Sequence, residues 1–244
     1  MEPLRDTLNH LFRQTNNPPS SAQNENVSEP TPPAIQCPNC QDNRFIRLTV
    51  GMEDERFGKA LPCPYCLDDV DTFETFKPVP GANDALRLAR SYATGGLHTP
   101  WLILVGMYGT GKTHLARAIV HEHKRRLRPT HMAFVPSLLQ ELRDSYEAKD
   151  HQQVLARFQG DSLVVLDDIG DTGNITPWVK EQILIILNKR YESGQPTVIT
   201  TNNTMNQIGD LYGGRIASRM WDTRTGISTV AILDCPDYRT GKAW

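Results

Sequence analysis

Five short apolar runs, separated by segments with helical periodicity, mark the second part of the chain. They are Trp101–Val105, Met132–Val135, Ser162–Leu166, Thr197–Thr201 and Ser228–Leu233. Continuous apolar runs are typical of strands that are buried on both faces, and helices between such strands indicate parallel pairing. The segment 177–193 has the ends of a helix, with Pro177 in its first turn and Gly194 just after its last. We therefore predict an α/β fold with a parallel sheet covered by helices.

The residues before this domain fall into three zones of different composition. Residues 1–14 carry Leu4, Leu8, Leu11 and Phe12, which share one face of a helix. This stripe predicts a short amphipathic helix that docks either on the protein's own domain or on a partner. Residues 15–36 are rich in Asn, Pro, Ser and Gln and predict a flexible linker. Residues 37–72 hold two cysteine pairs, and 73–244 form the predicted α/β domain.

The overall composition narrows the class of protein. The net charge of the 244 residues is −2, so a contact with nucleic acid would need a local basic patch. No apolar run reaches the roughly 18 residues of a membrane span, and we expect no membrane partner. The first residues lack the basic-then-apolar order of a signal peptide, so we expect a cytoplasmic protein. In such a reducing compartment, the cysteines are not expected to form disulfides.

The cysteine pairs predict a zinc site. Cys37 with Cys40 and Cys63 with Cys66 form two CxxC motifs separated by 22 residues, which is close to the spacing of a four-cysteine zinc ribbon. Metal binding would supply folding free energy to a segment with too little core of its own. The alternative is a redox-active CxxC, but neither pair lies at the start of a predicted helix. The mixed charge around the ribbon favours a protein partner over DNA without deciding between them.

A glycine-rich turn follows the first apolar run and matches the phosphate-binding pattern GxxxxGK[ST]. It extends from Gly106 to Thr113 and leads into a predicted helix. Glycines let the backbone amides approach a polyphosphate closely, and the helix N-terminus adds positive potential. We predict that Lys112 binds the β- and γ-phosphates of ATP or ADP and that the Thr113 hydroxyl binds Mg²⁺. The predicted nucleotide-binding residues are Gly106, Met107, Tyr108, Gly109, Thr110, Gly111, Lys112, Thr113 and His114.

Two further strands end in polar residues with chemistry that suits this site. The run 163–166 ends at Asp167 and Asp168, and a parallel strand beside the phosphate loop would bring both carboxylates to the same edge. We predict that Asp167 holds Mg²⁺ through water and that Asp168 orients the attacking water. The run 197–201 ends at Asn202, whose amide is a candidate contact to the γ-phosphate or the water. Asn-rich turns are common, so this last signal is weak by itself.

Two arginines follow near the end of the chain. Arg215 and Arg219 are four residues apart and share one face if this segment is helical. Arg219 is a candidate arginine finger, which would stabilise the transition state in the site of an adjacent subunit. An ordinary surface salt-bridge pair is the alternative.

The order of these motifs resembles that of bacterial replicative helicase loaders of the DnaC/DnaI type, which are AAA+ ATPases. The likeness is carried by GMYGTGKTHLA (106–116), LVVLDDIG (163–170), PTVITTNN (196–203), GGRIASRM (213–220) and DYRTGKAW (237–244). It implies a five-stranded AAA+ core without a full lid domain, with Asp167 and Asp168 as Walker B, Asn202 as sensor 1 and Arg219 as the finger. Phe73 and Phe76 resemble the aromatic segment near the adenine.

The resemblance also implies partners and a function. They are the replicative DNA helicase hexamer, single-stranded DNA and further copies of the chain, with ATP hydrolysis driving release of the helicase. Many AAA+ proteins have Glu where this chain has Asp168, which predicts slow, switch-like hydrolysis, and no sensor 2 arginine motif is recognisable after Met220. Two alternatives stay open: an IstB-like ATPase helper of a transposase, and a zinc-dependent binding module in which nucleotide only sets the shape.

Overall fold

The computed structural model describes residues 37, 40, 43, 45–54, 57–63, 71–160, 162–170 and 175–240. All of them belong to one compact unit of the chain, Cys37–Trp244. The predicted helix at 1–14 and the predicted linker at 15–36 lie outside the described residues. The division of the remaining chain at residue 72 stays a prediction.

A small antiparallel sheet lies between the cysteine pairs. Strand β1 (Phe45–Arg47) pairs with β2 (Ala60–Pro62), and Phe45 lies opposite Pro62. Because β2 is followed directly by Cys63 and β1 begins soon after Cys40, this pairing brings Cys40 and Cys63 to the same end of the hairpin.

The larger part of the chain alternates strands with helices, as the apolar runs predict. In chain order the elements are α1 (Asn83–Thr94), β3 (Trp101–Gly106), α2 (Lys112–Arg125), β4 (Thr130–Phe134), α3 (Val135–Ala148), α4 (His151–Gln159), β5 (Leu163–Asp167), α5 (Pro177–Glu192), β6 (Thr197–Thr201), α6 (Met205–Tyr212), α7 (Gly214–Met220) and β7 (Ser228–Leu233). Each predicted run contains a strand. Strand β4 begins earlier than the predicted run Met132–Val135, and it ends at Phe134 because Val135 already belongs to α3. Among the described residues, no helix is both long enough and apolar enough to cross a bilayer.

The five strands of the second sheet run parallel in the order β4-β5-β6-β3-β7. Strand β3 lies between β6 and the edge strand β7, with Trp101 opposite Thr197 of β6 and Ser228 of β7. Parallel pairing places the carboxyl ends of β3, β5 and β6 along one edge of the sheet. In doubly wound sheets, ligands bind at this edge.

Alternate residues of each strand face the two sides of the sheet and build a core on each side. On one side, Trp101 and Ile103 of β3 pack with residues of α3 to α7, such as Ile183. On the other side, Leu102 and Leu104 pack with residues of α1 and α2. The predicted α/β fold with helices on both faces is therefore confirmed. The described chain after β7, residues 234–240, contains no helix.

One buried arginine joins the loops at the amino ends of the strands. Arg190, near the end of α5, has no exposed surface. It donates hydrogen bonds to the Thr197 hydroxyl and to four backbone oxygens, those of Phe158, Gly160, Ser162 and Pro196, at 2.7–3.1 Å. A buried guanidinium is stable only when its donors are satisfied in this way.

Candidate active site

The glycine-rich loop between β3 and α2 needs its glycines for two separate reasons. Gly109 and Gly111 have φ values of +72° and +92°, a region that residues with a Cβ rarely adopt. Both also lie against other groups. A Cβ on Gly109 would be 1.9 Å from Oδ1 of Asp237, and a Cβ on Gly111 would be 2.7 Å from Cε2 of Phe76. The loop conformation therefore depends on these two positions.

Lys112 turns its ammonium group back over this loop. Its Nζ donates to the carbonyl oxygens of Gly106 at 2.9 Å and of Met107 at 2.7 Å. Burial lowers the pKa of Lys112 to about 8, although the carboxylates of Asp168 and Asp167 oppose this shift. The ammonium group is thus held at the centre of the loop by carbonyl groups of the loop itself.

Thr113 and Asp167 form the predicted magnesium pair in space. The Thr113 hydroxyl donates to the Asp167 carboxylate at 3.0 and 3.2 Å, and Asp167 is only 6% exposed. A second hydroxyl, that of Thr200 on β6, donates to Oδ1 of Asp167 at 2.7 Å. Hydroxyl and carboxylate oxygens suit Mg²⁺, which prefers hard oxygen ligands. The donor set at this point therefore fits the predicted cation.

Asp168 is held in an unusual conformation next to this pair. Its φ is +67°, which costs a non-glycine residue about 1–3 kcal/mol. Its backbone N–H donates to the Thr200 hydroxyl at 2.8 Å, and Nδ2 of Asn202 donates to its Oδ1 at 2.9 Å. The structure therefore brings together Lys112, Asp168 and Asn202 from three strand ends, as the parallel sheet predicts. Their catalytic roles stay predictions.

A cavity of about 370 Å³ opens beside the loop. Its lining contains more cations than anions, with Lys77, Lys112, Arg117 and Arg239 against Asp71. Three aromatic rings lie at this cavity: the Phe76 ring is 5.2 Å from His114 and 5.6 Å from Tyr238. Such a lining suits a polyanion that carries a flat aromatic group.

The predicted nucleotide-binding residues occupy different parts of this region. Gly109, Gly111, Lys112, Thr113 and His114 line the cavity. Two neighbouring residues stabilise the loop conformation instead. Thr110 is fully buried, and its hydroxyl donates a hydrogen bond to the Met107 carbonyl at 2.8 Å. The Gly106 carbonyl accepts a hydrogen bond from the Lys112 ammonium group. The Met107 and Tyr108 side chains are 45% and 48% exposed and are not part of the lining.

His114 and Phe73 have partners that the sequence did not suggest. The His114 ring lies 3.2 Å from the Asp71 carboxylate and 2.8 Å from the Thr72 carbonyl. Asp71 also accepts a hydrogen bond from Arg117 at 2.8 Å. Phe73 is buried below the Arg90 guanidinium, 5.6 Å from its ring centre, and lies outside the cavity lining, whereas Phe76 is part of it.

Arg219 lies away from the cavity of its own chain. Its guanidinium lies over the Tyr191 ring at 4.9 Å and within 3.7 Å of the Glu192 carboxylate. Nη1 is buried without a hydrogen-bond partner in the described part of the chain. Arg215, on the same short helix, is exposed. The finger role of Arg219 stays a prediction.

Three of the four predicted zinc ligands converge. The sulfur atoms of Cys37, Cys40 and Cys63 lie within 4.8 Å of one another, and all three residues are buried. The distance between Sγ of Cys37 and Sγ of Cys63 is 3.8 Å. A tetrahedral ion with Zn–S bonds of about 2.3 Å separates its sulfurs by about 3.8 Å, so this spacing fits zinc. Cys66 lies outside the described residues.

Comparison with known proteins shows the family to which the chain belongs. Residues 98–239, which contain the loop, the carboxylates and β7, match the family described as "IstB-like ATP binding protein". The chain belongs to the IstB-like ATP-binding proteins. The chain is 30% identical to the replicative helicase loader DnaC of Escherichia coli K12 over 71% of this chain and 72% of the relative.

Other relatives of this IstB-like protein come from two functional settings. A putative ATP-binding protein of an insertion sequence in Mycobacterium tuberculosis is 26% identical over 58% of this chain and 56% of its own length. Among solved structures, a DnaC helicase loader superposes with a TM-score of 0.58 and 22% identity, covering 67% of this chain and 96% of the other. DnaI superposes with a TM-score of 0.57 and 23% identity, covering 69% and 90%. These structural likenesses confirm the AAA+ type of fold.

Proposed function

We propose that this protein is an ATP-dependent loader that places the replicative DNA helicase on single-stranded DNA. The observation that carries the proposal is the 30% identity with a helicase loader along most of both chains. In this proposal ATP holds the loader in its helicase-binding state, and hydrolysis releases the helicase. The site described above supplies the nucleotide chemistry.

The proposed ATP chemistry uses the contacts around the glycine-rich loop. The Lys112 ammonium exchanges its carbonyl partners for the β- and γ-phosphate oxygens, which are stronger, charged acceptors. Thr113 and Asp167 would hold Mg²⁺, which would neutralise phosphate charge. Asp168 orients the attacking water, and Asn202 fixes the position of the Asp168 carboxylate.

We propose that hydrolysis is slow and serves as a switch. An aspartate side chain is shorter than a glutamate by one methylene, and the Asn202 amide already occupies Oδ1 of Asp168. Replacement of Asp168 by Asn removes the charge that polarises water, so turnover should fall by about 10²- to 10⁴-fold while ATP still binds. Steady-state phosphate release and calorimetric ATP affinity, measured on the same preparations, test this role. Unchanged turnover would favour a binding module in which nucleotide only sets the shape.

A groove beside the edge strand β4 is our candidate contact for single-stranded DNA. It has a volume of about 800 Å³, and its lining includes Lys124 and the half-exposed Phe134 ring. Two arginines of the lining, Arg117 and Arg157, form ion pairs with the lining carboxylates Asp71 and Glu141. Cations and an aromatic face are the groups that bind single strands without sequence preference. Lys124→Glu should weaken binding of an oligonucleotide at low salt, whereas Arg224→Glu, on an exposed residue outside the groove, should not. Equal losses in both variants would contradict this placement.

The other proposed contacts are with the helicase and with neighbouring copies. We propose that the cysteine module, with zinc on Cys37, Cys40, Cys63 and Cys66, binds the helicase. Arg219 is proposed to reach the nucleotide of an adjacent subunit. Among the described residues its guanidinium has two partners, the face of the Tyr191 ring and the Glu192 carboxylate, which lies beyond hydrogen-bond distance. Moving this side chain therefore costs little interaction energy.

A helicase-binding assay tests the loader proposal. Purified protein with an ATP analogue should retain the replicative helicase of its source organism, and the helicase or single-stranded DNA should stimulate phosphate release. Removal of zinc by a chelator should abolish helicase binding while ATP affinity persists. If neither ligand stimulates turnover and no helicase is retained, the loader function is wrong.

The insertion-sequence relative supports a second candidate, an ATPase helper of a transposase. This function predicts that double-stranded DNA and a transposase, rather than the helicase, stimulate phosphate release. The two functions are separated by running the four additions in parallel: helicase, transposase, single-stranded DNA and double-stranded DNA.

A further inference from the structure

The segment after β7 is attached to the glycine-rich loop. We define Asp237–Arg239 as the C-terminal strap. The backbone N–H of Tyr238 donates to the Gly109 carbonyl at 2.9 Å. The Asp237 carboxylate is 6% exposed, fills the space beside Gly109 and accepts the N–H of Arg239 at 2.7 Å. The strap and the loop therefore form one connected backbone structure.

Tyr238 fixes the strap on its other side. Its hydroxyl oxygen accepts the backbone N–H of Val79 at 3.2 Å, and its ring contacts Phe76. The chain before α1 and the chain after β7 thus meet at the cavity. These contacts, together with the hydrogen bond from the Arg239 N–H to the Asp237 carboxylate, hold the backbone of Arg239 beside the cavity.

Arg239 contributes a cation to the cavity and has no ion-pair partner among the carboxylates of the described residues. The other arginine of the lining, Arg117, differs because Asp71 neutralises it at 2.8 Å. Lys112 lines the same cavity, so the two cations share one small space. Two cations that share a cavity repel each other until an anion binds between them.

We propose that Arg239 binds the phosphate groups of the nucleotide in its own subunit and that the strap positions it for this contact. This inference rests on the proposed ATP site and adds to it a residue that couples nucleotide binding to the C-terminal segment. A guanidinium forms directed hydrogen bonds with phosphate oxygens. Its contribution therefore increases with the number of phosphate groups in the ligand.

Calorimetric titration of ATP, ADP and AMP into the full chain tests the proposal. Arg239→Gln should weaken ATP binding by about 10- to 100-fold, the range for hydrogen bonds to charged groups, and AMP binding much less. Arg239→Lys should recover part of the loss, since it restores the charge without the fork of donors. Arg224→Gln is the matched control, because Arg224 is exposed and lies outside the cavity lining.

The outcomes separate this inference from the function it rests on. If the parent binds ATP and Arg239→Gln binds it equally well, the inference is overturned and the ATP site stands. If Arg239→Gln weakens AMP as much as ATP, the residue acts on the shape of the cavity, and the phosphate contact is overturned. If the parent binds none of the three nucleotides, the proposed ATP site and the inference fall together.

Discussion

The two ends of the large sheet each bury a cation against backbone carbonyl groups, but they satisfy it to different degrees. At the amino ends, Arg190 makes five hydrogen bonds among the described residues, to groups in the two separate segments around Gly160 and around Thr197. At the carboxyl ends, Lys112 makes two, both to its own loop, and its third N–H has no partner among the described residues. Arg190 cannot lose its proton, whereas the pKa of Lys112 is lowered to about 8.

This difference in hydrogen-bond partners distinguishes a buried cation that stabilises the fold from one that is available to bind a ligand. Removing Arg190 leaves several buried carbonyl groups without donors, so the hydrogen bonds of Arg190 contribute to the stability of the fold. Lys112 can release its two carbonyl partners and take up phosphate oxygens without breaking a contact between distant parts of the chain. The number and origin of the partners, rather than burial itself, distinguish the two roles.

The largest effect is expected at the amino ends. Arg190→Met should lower the free energy of unfolding by about 3–5 kcal/mol, since it leaves buried polar groups unpaired. Urea denaturation followed by circular dichroism measures this change, with Arg224→Met as the exposed control. A loss no larger than that of the control would remove the contrast between the two cations.

A smaller effect, on a different quantity, is expected for Lys112→Met. ATP affinity should fall by about 100-fold, because the charged contact to the phosphates is lost. The free energy of unfolding should stay within about 1 kcal/mol of the parent or rise, since a desolvated charge is removed. Calorimetry and denaturation on one preparation measure both. Retained ATP affinity would refute the proposed phosphate site and the helicase proposal with it.

The pH dependence of nucleotide binding sharpens the comparison further. The folded-state pKa of Lys112 is about 8, below its usual value of 10.5. Between these two pH values the unfolded chain binds more protons than the folded chain. The contribution of Lys112 to the free energy of unfolding therefore increases as pH rises through this range. Bound phosphate favours the charged form, so ATP affinity should fall by up to about tenfold per pH unit above 8. Calorimetry from pH 7 to 9.5 measures the slope. The ATP affinity of Lys112→Met should have no such slope. An equal slope in the parent and the variant would show that another group causes the pH dependence.

The smallest effects are expected from two threonines of strand β6. Thr197 accepts a hydrogen bond from Arg190, and Thr200, three residues later, donates to Asp167. Thr197→Val should cost about 1–2 kcal/mol of stability and leave nucleotide binding unchanged. Thr200→Val should raise the Mg²⁺ concentration needed for ATP binding. Titration of Mg²⁺ at fixed ATP compares them, and identical Mg²⁺ dependence would contradict the division of β6 into two functional ends.

Much of the fold and the centre of the site could be predicted from the chain alone. The apolar runs identified the strands because both faces of each strand are buried, and parallel pairing then placed Asp167, Asp168 and Asn202 beside the loop. The boundary of β4 was wrong because Val135 is apolar in a strand and in a helix alike, and Pro136 suits the first turn of α3.

The missed residues share a physical reason. Thr200 lies inside an apolar strand, and nothing in the linear pattern distinguishes a threonine that packs from one that bonds two aspartates. Asp71 lies just before the predicted α/β domain and Arg239 lies near its end, so their contacts depend on tertiary packing. Arg190 reads as an ordinary cation in the last turn of a helix, and only burial reveals its partners.

The position of β3 between two strands that follow it in the chain bears on how the protein is made. Both strands that flank it, β6 and β7, are synthesised long after it. During translation the glycine-rich loop is therefore attached to a strand without neighbours, and long-range parallel pairing is slow to form. A chain released from the ribosome before β7 is complete would carry the whole phosphate-binding motif and yet lack the framework that holds it.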